Sequence, residues 1–185
     1  MTSVKNISKT FKKSDGSIFT ALDDISLIFD SQMTIIAGSN GSGKTLLMKI
    51  IAGLEEPSSG QVQVSEKIGL VFQDADSQIL GDTPLEAVLF GLKHNKQLSK
   101  NPAKEKALEA LAKVNRWDKS DESSHFLSGG EKRRLAIASI LALGRNTIIF
   151  DEPYSNLDYP SIKALNATIS SLKENGFTII LLTHE

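Results

Sequence analysis

Gly38-Ser39-Asn40-Gly41-Ser42-Gly43-Lys44-Thr45 is the segment whose residue types speak most directly of chemistry. Its glycines let the backbone fold so that successive N–H groups point inward at phosphate oxygens, and a helix N-terminus just after it would add partial positive charge. Lys44 supplies a full charge at the β- and γ-phosphates of a nucleotide, and the Thr45 hydroxyl is placed for magnesium. All eight positions fit the P-loop pattern, which makes Ser39, Asn40, Gly41, Ser42 and Gly43 candidate phosphate-binding residues together with Lys44 and Thr45.

A second constellation lies over a hundred residues on. Ile148-Ile149-Phe150-Asp151-Glu152 is an apolar run ending in two carboxylates. A buried strand of this kind delivers its acids at the C-terminal end, where ligands collect in open α/β sheets. Asp151 is the candidate magnesium ligand, and Glu152 can face the γ-phosphate and polarise an attacking water. Two acids after a strand would otherwise read as the start of a solvated loop, and the P-loop upstream decides between the two readings.

The elements around these residues alternate between short β-rich runs and helical patterns, which predicts parallel strands joined by crossover helices. Thr34 to Ala37 reads as the first buried strand, and Thr45 to Ala52 as a helix stopped by Gly53 at C′. Between Gly60 and Gln73 the pattern is β, with Gln61 to Val64 alternating and Ile68 to Phe72 more continuously apolar. From Asp82 to about Arg116 it is helical: Asn101 can cap, Pro102 suits the first helical position, and Leu108, Leu111 and Ala112 recur on one face. A helix from Ser128 to Gly144 precedes the strand Thr147 to Asp151. Asp158 and Pro160 open a helix that Gly176 closes, and Thr178 to Thr183 is the last strand.

Composition is that of an ordinary globular chain of 185 residues, 40% hydrophobic and 23% charged, and one domain is expected. With 21 basic and 22 acidic residues the formal charge is −1, so no strong basic field exists to hold a nucleic-acid backbone, and no nucleic-acid partner is expected. The absence of cysteine removes disulfides, thiol nucleophiles and thiolate metal sites, as a reducing cytoplasm permits. Apolar runs such as Phe177 to Leu182 fall far short of a bilayer span, and the first residues lack the apolar core of a signal peptide.

Leu127-Ser128-Gly129-Gly130-Glu131 makes the reading specific. Ser128 with Glu131 three residues on is a capping box, and the two glycines allow a phosphate close to a helix N-terminus. The segment resembles the signature motif of ABC ATPases. Gln73 resembles that family's Q-loop glutamine, Ser155-Asn156-Leu157-Asp158 its D-loop, His184 its switch histidine, and Phe11 the aromatic residue that stacks on adenine. Singly, Gln73 would read as an exposed strand end, His184 as a loop residue and Phe11 as core; their joint order carries the resemblance.

The resemblance implies an α/β P-loop NTPase core with a mostly parallel sheet, a small antiparallel β subdomain and a helical signature subdomain inserted at about residues 82–143. It further implies an ATPase with ATP and Mg2+ as ligands. Lys44 and Thr45 of one subunit would hold ATP, and Ser128, Gly129 and Gly130 of a second would close over it, with Asp158 at the junction. Glu152 would orient the water, His184 contact the γ-phosphate, and Gln73 sense metal and water. Gln73-Asp74-Ala75-Asp76-Ser77-Gln78 and Glu86 to Leu92 are similar to segments of energy-coupling-factor and cobalt-type importer ATPases. That branch implies uptake of vitamins or transition-metal ions, a groove near Gln73–Gln78 that receives membrane subunits, a homo- or heterodimer of ATPases, and a peripheral place on the cytoplasmic face of the membrane. The alternative is a soluble ABC ATPase of a nucleic-acid repair or translation machine, against which stand the lack of a heptad run and the single ATPase domain. Family members continue past the switch histidine, and energy-coupling members add a C-terminal dimer-forming region, so a longer protein than the 185 residues here is expected. Tyr154 stands where the family often has a small residue, and the stretch from Lys44 to Gln73 is shorter than usual, which implies a trimmed β subdomain.

Overall fold

The computed structural model describes residues 2–93, 100–114 and 122–184. Its centre is a parallel sheet of four strands, β3 (Met33–Ala37), β5 (Gly69–Val71), β6 (Thr147–Asp151) and β7 (Thr178–Thr183), in the order β3-β7-β6-β5. Both faces of β5, β6 and the middle of β7 are covered, which is why these strands read as apolar runs; β3, expected as a buried strand, is instead an edge strand with no buried residue, Ile35 being 60% exposed. Ile148, Phe150, Ile179 and Leu181 face one core with Leu135, Leu165 and neighbouring helical residues. Ile149, Ile180 and Leu182 face the other, against Leu47, Met48 and Ile51 of α1 (Lys44–Ile51) and Val4 and Ile7 of the second sheet.

That second sheet is antiparallel, in the order β2-β1-β4: β1 (Thr2–Lys12), β2 (Ile18–Phe29) and β4 (Ser59–Val64). The β segment predicted between Gly60 and Gln73 is therefore divided between two sheets, Val62 lying in the antiparallel one and Leu70 in the parallel one. The chain's two longest strands, β1 and β2, lack a clean two-residue alternation because their pairing shifts register between Val4 and Ile7, Ile7 and Lys9, and Lys9 and Thr10. Asn6 and Asp24 take left-handed φ at this irregularity, and the Asn6 amide donates to Asp24 Oδ1 at 2.6 Å.

Helices α2 (Pro84–Lys93), α3 (Lys100–Lys113) and α4 (Gly129–Ala142) pack together over one face of the parallel sheet, beside α5 (Tyr159–Glu174). Two expectations for α3 are corrected. Asn101 already lies inside the helix with Lys100, so it is not the cap and Pro102 not its first residue. The buried face is Ala107, Ala110, Leu111 and Val114, while Leu108 and Ala112 face solvent. The small Ala107 and Ala110, beside Leu111 and Val114 on the same stripe, let α3 approach α4 closely, and that stripe outranks the larger Leu108. The predicted end near Arg116 lies outside the described residues.

Leu111→Ala is accordingly expected to cost about 2–5 kcal/mol in urea unfolding, and Leu108→Ala within about 0.5 kcal/mol. Equal losses would contradict the assigned face.

Candidate functional site

Strand β3 runs into the loop at residues 38–43, where the Gly38 N–H donates to the Thr183 carbonyl at 3.2 Å and so ties the loop to the end of β7. Gly43 caps α1 at φ 89°, a left-handed conformation, and a Cβ there would lie 2.7 Å from Leu22 Cδ2 and 3.0 Å from the Ala21 carbonyl. Only glycine meets both requirements. The antiparallel sheet thus presses its β2 strand against the loop from behind. Lys44 Nζ donates to the carbonyls of Gly38 and, at 2.9 Å, Ser39, so the loop wraps around its own lysine.

Thr45, one residue on, donates its hydroxyl to Asp151 Oδ1 at 3.1 Å across the end of β6. Asp151 is buried, and burial pushes its carboxyl above the ordinary value, with the Thr45 bond opposing, the neighbouring Glu152 charge adding, and Lys44 and Lys49 opposing in turn. A hydroxyl and a carboxylate side by side are hard oxygen donors. They fit Mg2+, which binds through one or two protein groups plus phosphates and water rather than a full protein cage. No group of three or more His, Cys, Asp or Glu side chains that could hold a metal ion occurs among the described residues.

Glu152 leaves the strand at φ 45°, unusual for a residue with a side chain, and its N–H donates to Leu182 O at 3.1 Å. Such a turn, costing on the order of 1 kcal/mol, sends consecutive carboxylates to different places. Glu152 Oε2 accepts from Gln73 Nε2 at 3.3 Å and from Ser155 Oγ at 3.1 Å, and His184 Nδ1 lies 3.4 Å away. Gln73, Glu152 and His184 therefore meet on one oxygen. The sequence reading did not single out Ser155 for this contact; its available signal was the tight three-residue turn, in which Ser155 N–H also donates to the Glu152 carbonyl.

An open cleft of about 510 Å³ connects Gln73 and Glu152 with the loop residues Asn40 to Thr45 and, at its far end, Phe11, Phe19 and Ala21. Phe11 is 43% exposed, so it is a cleft residue and not core. Phe19 pairs with it across the hairpin. Phe19 was missed because β1 and β2 were not recognised as a hairpin; Phe11 and Phe19 flank the turn around Gly16.

Ser128, Gly129, Gly130 and Asp158 lie elsewhere, and none is among the described residues lining that cleft. Ser128 caps α4, its Oγ accepting from the Glu131 N–H at 3.3 Å while Glu131 Oε2 accepts from the Ser128 N–H at 2.8 Å. Asp158 caps α5, accepting from the Ser161 N–H at 3.0 Å, and hydrogen bonding to Ser161 holds its carboxyl below the usual range. Gly130 is buried against this same turn: a Cβ on it would lie 2.7 Å from Ser161 Cβ. Gly129 lines a second cavity, of about 380 Å³, with Gln73, Arg133 and Ser155.

Gly130→Ala is expected to lower the melting temperature, and adding Ser161→Gly to restore most of the loss. A double variant no more stable than Gly130→Ala alone would show that close packing does not require glycine there.

The family model described as ABC transporter matches residues 22–155. The energy-coupling factor transporter ATP-binding protein EcfA1 of Mycoplasma mobile is 40% identical over 200 aligned residues, spanning 100% of this chain and 72% of that protein. Among solved structures, the dimeric post-hydrolysis ATP-binding cassette MJ0796, bound to ADP and Pi, superposes with a TM-score of 0.85 at 29% identity, covering 100% of this chain and 88% of that one. CbiO1 of Clostridium perfringens, part of the ABC transporter complex cbiONQ, gives 0.83 at 29% identity, with 100% and 78% covered. With a glycine-rich strand-to-helix loop, a Thr45–Asp151 pair and a Glu152 cluster set in that fold, the chain belongs to the ABC transporter family of ATPases.

Proposed function

We propose that this chain is the ATP-hydrolysing subunit of an energy-coupling-factor type importer for vitamins or transition-metal ions, acting as one ABC ATPase domain whose helical part spans about residues 82–143. Support for the branch comes from the likeness to EcfA1, an energy-coupling factor transporter ATP-binding protein, and to CbiO1, part of the ABC transporter complex cbiONQ. The observation that carries the hydrolytic reading is the convergence of Gln73, Ser155 and His184 on one oxygen of Glu152, beside the Thr45–Asp151 pair.

In this reading the backbone N–H groups of residues 39–43 and the N-terminal dipole of α1 bind the phosphates, and Lys44 gives up its loop carbonyls for the β- and γ-phosphates. Thr45 and Asp151, with Gln73 as a further candidate, would hold Mg2+, which would supply charge neutralisation on the phosphates. Phe11 stacks on the adenine. Glu152 accepts a hydrogen bond from the attacking water and orients it in line with the γ-phosphorus, while His184 contacts the γ-phosphate. The proton leaves towards Glu152 as the terminal phosphate is released.

Because Ser128, Gly129 and Gly130 lie away from their own chain's cleft, they serve the ATP of a second ATPase subunit, aiming the α4 dipole at its γ-phosphate, with Asp158 at the junction. The pair is a homo- or heterodimer. MJ0796, dimeric with ADP and Pi, supports such pairing. Membrane subunits dock at the groove near Gln73–Gln78, and the chain works peripherally on the cytoplasmic face of the membrane. No helix among the described residues is long and apolar enough to cross a bilayer.

Glu152→Gln should bind ATP as the wild type does while hydrolysis falls by about 100-fold or more, the scale of a lost general base. Parallel measurements of nucleotide binding and phosphate release check this, and wild-type release would remove Glu152 from its role.

A further inference from the structure

Arg133 lies on α4, a little more than one turn from the Ser128 cap, and is 5% exposed. One guanidinium nitrogen, Nη2, donates to the Gln73 carbonyl at 3.0 Å; Nε and Nη1 have no hydrogen-bond partner among the described residues. Burial lowers the affinity of this group for its proton, and the charge of Asp74 opposes that. A cation held almost wholly out of solvent at the wall of the cavity it shares with Gln73 and Gly129, with part of its donors unpaired, is a poor stabiliser, since an apolar side chain of similar volume would avoid the desolvation cost. Its one made bond, to the backbone of a residue that touches Glu152, is therefore where its use is to be sought.

The segment gripped by that bond is braced along its length. Gln78 anchors its far end to β5, donating to Leu70 O at 2.7 Å and accepting from the Phe72 N–H at 3.1 Å. Asp74 Oδ1 accepts from the Asp76 N–H at 3.1 Å, and Asp74 O from Ser77 Oγ at 2.8 Å. Lys132, next to Arg133, forms an ion pair with Asp76. Two consecutive cations of α4 thus hold a stiff loop whose first side chain, that of Gln73, donates to Glu152 Oε2.

We infer that Arg133 is a positioning residue for hydrolysis: it couples helix α4 to Glu152 by fixing the backbone of Gln73, with Lys132–Asp76 as a second, exposed tie. The inference rests on the hydrolytic role proposed for Glu152. It makes the position of the α4 N-terminus, which carries Ser128 to Gly130, a determinant of how the Gln73 carboxamide meets the base, so that a shift of α4 on pairing is felt at Glu152.

The test is a double-variant cycle in the assembled ATPase, reading turnover and ATP affinity separately. Arg133→Met is expected to lower kcat by about tenfold with ATP affinity unchanged, and Arg133→Lys, which keeps one donor, to recover part of it. In a Gln73→Ala background, where no carboxamide remains to be placed, Arg133→Met should cost nothing further. Should Arg133→Met not fold, Asp76→Ala removes the exposed tie, and its smaller kcat loss should vanish in the same background. A loss of equal size in both backgrounds, or one confined to ATP affinity, overturns the inference. Glu152→Gln in the same assay keeps the two readings apart: if it turns over normally the hydrolytic role itself fails, whereas a stalled Glu152→Gln with additive Arg133 and Gln73 effects sinks the coupling alone.

Discussion

Everything in the site depends on β6 being a strand buried on both faces that ends in a carboxylate. All five of its residues are buried, with Ile148 and Phe150 locked into one core and Ile149 into the other, so its C-terminal end has little freedom. That rigidity puts Asp151 within 3.1 Å of Thr45, the second residue of α1, and turns Glu152 aside through a left-handed backbone. Burial penalises a charged Asp151, and a cation shared with Thr45 is the natural relief for it. The strand order completes the geometry. With β7 between β3 and β6, the phosphate loop, the two acids and His184 all emerge at the C-terminal edge of one sheet.

The antiparallel sheet has a narrower task. It supplies Leu22 and Ala21 as the wall behind Gly43 and two aromatic rings, Phe11 and Phe19, at the far end of the cleft. These rings stand on exposed strand surface, and Lys9 and Lys13 lie 5.3 and 5.7 Å from the Phe11 and Phe19 ring centres. Each ammonium sits over its ring at cation–π distance.

Legibility in the sequence followed the range of the forces involved. Strands β6 and β7 could be read to the residue because a doubly buried strand is a continuous apolar run, and α4 and α5 because their caps, Ser128 with Glu131 and Asp158 with Ser161, are local hydrogen bonds. Strands β1 and β2 escaped because register shifts scramble their alternation, and the buried face of α3 was read only in part: Leu111 is buried as expected, but Leu108 and Ala112 are exposed because the small Ala107 and Ala110 complete the stripe. The phosphate loop and both acids were legible as contiguous motifs. Ser155 at Glu152, Phe19 in the cleft and the grip of Arg133 on Gln73 were not, since each joins residues through the tertiary fold. Gly130 has a packing reason, its approach to Ser161, that no motif would disclose.

Ser128 to Gly130 lie outside the cleft of their own chain, so the proposed mechanism treats that cleft as a half-site, and the account stands on its completion by a second subunit. ATPase activity of Lys44→Ala and Ser128→Arg chains, alone and mixed, tests this most directly. The account predicts two silent variants whose mixture hydrolyses ATP, because one of its two sites combines an intact Lys44 with an intact Ser128. Wild-type turnover by the Ser128→Arg chain alone would contradict it.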